Sequence, residues 1–131
     1  MEIGVVVATD GSVIAWHLPP GRSAVSLPDS TDLWTTMWES RHRLAGVAHS
    51  HPGGGRPGPS RTDVTTFAAV EAGLGRRLRW WITSTDGLVE LEWRGPGPHD
   101  YGMRDSDPAG CGWLAELREM SYGPRTERGE R

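Results

Sequence analysis

Two histidines one residue apart, His49-Ser50-His51, stand at the end of the apolar run Leu44–His49 and constrain this chain more than any other feature. On an extended backbone, side chains at i and i+2 share a face, so both imidazoles reach one ion without distorting the strand. Asp63 would supply a third ligand. Two nitrogens and one carboxylate oxygen suit Zn²⁺, and three protein ligands leave a fourth position for water, the arrangement of catalytic rather than structural zinc. Glycine and proline dominate Gly53–Pro59, which excludes helix and strand there. The pattern Ser60-x-x-Asp63 ahead of the run Val64–Ala72 has the form of a capping box at a helix start.

Each residue also has a plainer reading. A lone strand histidine is ordinarily a core residue with its ring hydrogen-bonded, but a matched pair with Asp63 is not so easily dismissed. Ser60 can begin a helix and still face a metal. A carboxylate at Asp63 that caps fully would, on this reading, be a poor zinc ligand.

The stretch H-S-H-P-G-G-G-R-P-G-P-S-R-T-D resembles the JAMM signature of the JAB/MPN domain family: His-x-His-Pro, seven residues, Ser, two residues, Asp. The resemblance covers roughly residues 1–93. It implies an α/β fold with a mixed, largely antiparallel curved sheet flanked by helices, of the cytidine-deaminase-like architecture. It further implies hydrolysis of an amide or isopeptide bond, with zinc held by His49, His51 and Asp63 and with Ser60 as oxyanion donor. The substrate it implies is a peptide, a ubiquitin-like C-terminus or another protein tail. Family members place their general base, a glutamate, early in the chain in a context like Glu-x-x-Gly. Glu2 is the candidate, although Glu2-Ile3-Gly4 is one residue short and a carboxylate so near the chain start would be poorly held. Glu39 is its rival, at the end of a helix where a charged residue ordinarily faces solvent. The alternative to an enzyme is a zinc-binding MPN-type scaffold without activity.

The rest of the chain reads as one domain of 131 residues. Ile3–Ala8 and Val13–Trp16 flank the turn Asp10-Gly11 as a hairpin. Leu18–Pro28 is loop, with a short strand at Ala24–Leu27. Ser30, Thr31 and Asp32 offer a helix start for Leu33, Trp34, Met37 and Trp38. Strands are expected over Leu78–Thr83 and Leu88–Trp93. Residues 94–108 turn to Gly, Pro and charge, which marks a loop or linker. Over 109–122, Trp113, Leu114, Leu117 and Met120 form a last helix that docks on the body or on a second copy in a homo-oligomer. Residues 123–131 read as a disordered tail.

Charge and composition narrow the partners. A net charge of −3 argues against a nucleic-acid backbone as ligand. The basic-aromatic run Arg76-Arg77-Leu78-Arg79-Trp80-Trp81 is then an arginine-bearing strand rather than a nucleic-acid surface. A zinc nucleobase deaminase needs H-x-E and P-C-x-x-C, and Cys111 is the one cysteine. That lone thiol suits a reducing compartment, and the absence of a long apolar run gives no sign of a membrane, so a cytoplasmic location is expected. All 14 basic residues are arginine. A GC-rich genome is the favoured cause; avoidance of lysine by an enzyme of isopeptide-linked modifiers is the sharper one.

Overall fold

The structure, a computed structural model, describes residues 2–18 and 31–123. The expected strand at Ala24–Leu27, the rest of its loop after Leu18, Ser30 and the tail beyond Gly123 lie outside the described residues. Among the described residues no helix is long and apolar enough to cross a membrane.

The β-branched run becomes β1 (Gly4–Ala8), and the return after Asp10-Gly11 becomes β2 (Val13–His17). Gly11 has φ +88°, which a residue with a β-carbon rarely adopts, and Asp10 Oδ1 accepts from Ser12 N at 3.0 Å to hold the turn. Then follow α1 (Thr31–Glu39), β3 (Leu44–Ser50), α2 (Arg61–Leu74), β4 (Arg79–Thr83), β5 (Leu88–Trp93), β6 (Tyr101–Asp105) and, after a single 3₁₀ turn, α3 (Leu114–Tyr122). One sheet runs in the order β2-β1-β3-β4-β5-β6. Only β3 and β4 are parallel, joined through α2, and the other pairs are antiparallel. The fold is therefore α/β with a mixed, largely antiparallel sheet flanked by helices, as the sequence leads one to expect.

Strand alternation sends the two sets of side chains to opposite layers. Val6, Val47, Trp80, Ile82, Val89 and Leu91 pack with Met37 of α1 and Phe67 and Leu74 of α2. Val5, Val7, Ala48 and Trp81 pack on the other face with Trp113, Leu114 and Leu117. Burying those last three side chains, at about 2 kcal/mol each, is what docks α3 on the body of the same chain. The alternation of β3 is broken once. Val7 pairs Gly46 and Ala8 pairs Leu44, so Ala45 is the extra residue of a bulge that rephases the strand before its histidines. Gly46 is obligatory here, because a β-carbon would lie 1.7 Å from the Arg79 carbonyl oxygen.

One expected loop contains a strand. Tyr101–Asp105, inside the Gly/Pro-rich stretch 94–108, pairs antiparallel with β5 as an edge strand. Its composition carries little β-propensity, and its support is tertiary: Arg104 Nη2 lies 2.8 Å from Glu90 Oε2 on the facing residue, and Tyr101 Oη donates to Glu71 Oε1 at 2.5 Å. The basic-aromatic run is also absorbed by the fold. Trp80 and Trp81 are buried on opposite faces of β4, Arg77 pairs with Glu71 at 3.0 Å, and its guanidinium sits 3.9 Å above the Trp93 ring.

Candidate metal centre

β3 ends among its neighbours with His49 turned toward α2, its ring edge-on to Phe67 at 6.3 Å. His51 follows two residues on, past the end of the strand, and stays in register because its N–H donates to the Thr83 carbonyl of β4 at 2.8 Å. The glycine-rich segment after it is pinned to the β4–β5 turn. Thr85 N donates to Gly53 O at 3.0 Å, Gly55 N to Asp86 Oδ1 at 2.6 Å, and Ser84 Oγ to Gly55 O. This returns the chain to the histidines at the start of α2, where Asp63 occupies the first turn.

The three side chains converge on one point. His49 Nε2 and His51 Nε2 are 3.1 Å apart, His51 Nε2 is 3.2 Å from Asp63 Oδ2, and His49 Nε2 is 3.6 Å from Asp63 Oδ1. Ligands about 2.0–2.1 Å from a tetrahedral zinc stand about 3.3 Å from each other. The three separations bracket that edge length, and among the described residues these three form a group able to hold a metal ion. The donor set, two imidazole nitrogens and a carboxylate, is one zinc accepts. Electrostatics agree. Burial works to raise the Asp63 carboxyl, but hydrogen bonds to His49 and His51 outweigh it and hold the group well below the usual carboxylate range. The same hydrogen bond to Asp63 raises His51 against the opposing effect of burial.

Asp63 accepts a cap bond and faces both histidines at once. Ser60 Oγ accepts from Asp63 N at 3.0 Å while Asp63 Oδ2 accepts from Ser60 N at 2.9 Å, a reciprocal capping box. A carboxylate has about four lone-pair sites, so one cap bond leaves room for both imidazoles. Ser60 itself is exposed at the helix start, and accepting one bond leaves its O–H able to donate.

Glu2 is brought to this group and Glu39 is not. In the β1–β3 pairing Gly4 stands opposite His49, and Ser50 N donates to Ile3 O at 3.1 Å. Carried one pair further, that register sets Glu2 opposite His51 on the same face, where facing β-carbons are about 4.5–5.5 Å apart. Glu2 is buried, and burial pushes its carboxyl up to about 7, the His51 charge opposing this and the Asp63 charge adding to it. The expectation that it would be poorly held is overturned, because its neighbour Ile3 is buried and its N–H donates to Ser50 Oγ at 3.0 Å. Glu39 is exposed at the last turn of α1, near Arg41, whose carbonyl accepts from Arg76 just beyond the end of α2. The 14-residue α2, about 21 Å long, separates that end from Asp63.

Sequence reasoning missed the groups that brace the centre. Phe67 stacks on Trp80 at 4.2 Å and so backs His49. Ser50, between the histidines, points to the opposite face and accepts from Ser121 Oγ at 2.8 Å. Tyr122 donates to the His51 carbonyl. Only the serine's place inside the motif was a signal.

A family model described as prokaryotic homologs of the JAB domain matches residues 3–94. No curated protein matches the chain.

Proposed function

Because the chain belongs to the family of prokaryotic homologs of the JAB domain, we propose that it is a JAMM-type zinc metallopeptidase that hydrolyses a peptide or isopeptide bond. The observation that carries this reading is the spacing of the His49, His51 and Asp63 ligand atoms, close to the edges of a zinc tetrahedron. Zinc, held by His49, His51 and Asp63, would supply a Lewis acid and lower the pKa of bound water toward neutrality.

The protein's own groups do the rest. Glu2, buried and with its carboxyl raised by burial, serves as the general base that takes a proton from water and returns it to the leaving amine. Extending the β1–β3 register by one pair would set its carboxylate beside the ligand group. Ser60 Oγ, held at the start of α2, donates to the oxyanion as the carbonyl becomes tetrahedral. Asp63, kept ionised by its histidine partners, offers a ligand whose charge does not change across the working pH range. The substrate proposed is an extended one, a peptide or the C-terminal tail of a ubiquitin-like protein, met in the cytoplasm.

The test is cleavage of peptide, isopeptide and ubiquitin-like fusion substrates by the zinc-loaded protein. Hydrolysis that is lost with chelator, restored by zinc and abolished by Glu2→Gln supports the enzyme. Full zinc occupancy without cleavage of any of these substrates supports the scaffold.

A further inference from the structure

Arg118, Ser121 and Tyr122 of α3 are spaced to share one side of a helix, and all three direct polar atoms at the end of β3 or the turn next to it. Tyr122 Oη donates to the His51 carbonyl and lies 3.2 Å from the Thr83 carbonyl. Ser121 Oγ donates to Ser50 Oγ, which also accepts from Ile3 N, the residue after Glu2. Arg118 Nε reaches Thr83 Oγ1 at 3.0 Å and Ser84 O at 3.1 Å, and its Nη2 reaches Gly87 O at 3.0 Å. The turn thus gripped is the one that pins the glycine-rich segment between His51 and Ser60.

The geometry explains why a helix would be used this way. β3 and β4 are parallel and part company just after Ser50 and Thr83. His51 N still finds the Thr83 carbonyl, but the His51 carbonyl has passed beyond the ladder. A part-buried carbonyl left without a donor is unfavourable, and a loop that turns to relieve it takes its side chain with it. The phenol of Tyr122 supplies the donor at the place where the ladder stops.

We infer that Tyr122, backed by Ser121, is a positioning residue for His51: it holds the backbone from which the imidazole is aimed at the metal. α3 lies beyond the family-matched segment, so this part of the centre is supplied by the chain's own C-terminal helix. The inference rests on the metal-centre reading. A purely structural role for α3 is the competing explanation, since Trp113, Leu114 and Leu117 bury apolar surface whether or not a metal binds.

The experiment compares the full chain with Tyr122→Phe, Ser121→Ala and, as a packing control, Leu117→Ala. Zinc affinity is measured by chelator competition, metal geometry by the visible absorption of the Co²⁺-substituted protein, and stability by thermal unfolding of the metal-free form. Tyr122→Phe is expected to weaken zinc about tenfold, the scale of lost outer-shell support, and to shift the Co²⁺ bands. Ser121→Ala should move both in the same direction by less. Leu117→Ala should lower the melting temperature with the Co²⁺ spectrum unchanged. Wild-type affinity and spectrum in Tyr122→Phe overturn the inference, as does an equal spectral shift in Leu117→Ala. Where Tyr122→Phe fails to fold, Ser121→Ala decides alone, because Ser121 reaches the centre through Ser50 and its loss leaves the Tyr122 bond in place. Failure of the wild type to bind either metal overturns the metal-centre reading and this inference together, a result distinct from the others.

Discussion

Ser60 and Asp63 hold each other through two reciprocal hydrogen bonds of 3.0 and 2.9 Å, and the carboxylate so held is the one that faces both His49 and His51. A local helix-start motif and a metal-ligand geometry are therefore one construction. The reciprocal bond from Ser60 N to Asp63 Oδ2 ties the carboxylate to the helix start in the orientation that faces the histidines.

Replacing Ser60 by alanine separates the two uses of its hydroxyl. Loss of the cap costs about 1 kcal/mol of stability. Loss of an oxyanion donor costs about 3 kcal/mol of transition-state stabilisation, roughly a hundredfold in kcat. The expected result is a kcat defect much larger than the stability defect, with zinc still bound. Full activity in a destabilised Ser60→Ala protein would reduce Ser60 to a helix cap.

Glu2→Gln is expected to abolish hydrolysis while leaving zinc bound, and Glu39→Gln to leave the rate nearly unchanged. The raised carboxyl of Glu2 also has a stability consequence. Its folded value, about 7, lies above the ordinary 4.5, so the folded state binds the proton more tightly. The stabilisation from Glu2 is complete below pH 4.5 and is lost as pH rises through 7. Metal-free Glu2→Gln should therefore gain on the wild type by about 2 kcal/mol between pH 5 and 8, measured by denaturant unfolding. A difference that does not change with pH would show that Glu2 is not held in a desolvated place. In the zinc-loaded enzyme the cation draws the carboxyl down, so the acidic limb of kcat/KM should lie at or below about pH 7.

Zinc affinity should fall as the solution is acidified. His51 is raised by its hydrogen bond to Asp63, and zinc must displace the proton that this bond retains. Each ligand imidazole must be neutral to bind, so below the histidine titrations the dissociation constant should rise about tenfold per pH unit or more, as read by chelator competition from pH 8 to 5.5. Asp63 stays ionised throughout that range and contributes no slope. A pH-independent affinity would mean that His51 is not a ligand.

The centre was legible in the sequence because its chemistry is local. His49 and His51 share a strand face by period alone, and Ser60 and Asp63 announce a helix start by spacing. The apolar runs of β1, β3 and β5 were legible for the same reason. What stayed hidden is held by distant partners. Glu71 looks like a solvent-facing helix acid, yet it is buried and accepts from Leu78 N at 3.0 Å and Trp80 Nε1 at 2.8 Å. β6 exists through Arg104–Glu90 and Tyr101–Glu71, neither visible in its own five residues. The anchoring of Glu2 depends on Ser50, whose hydroxyl is committed to β1 and α3 from the face opposite the histidines.

The most direct measurement is the zinc-to-protein ratio of chain purified without chelator, set beside a His49→Ala, His51→Ala double variant. Convergence of His49, His51 and Asp63 on one ion requires close to one equivalent in the wild type and almost none in the double variant. A wild type without zinc, or a double variant that keeps its full equivalent, would remove the metal centre and the hydrolase built on it.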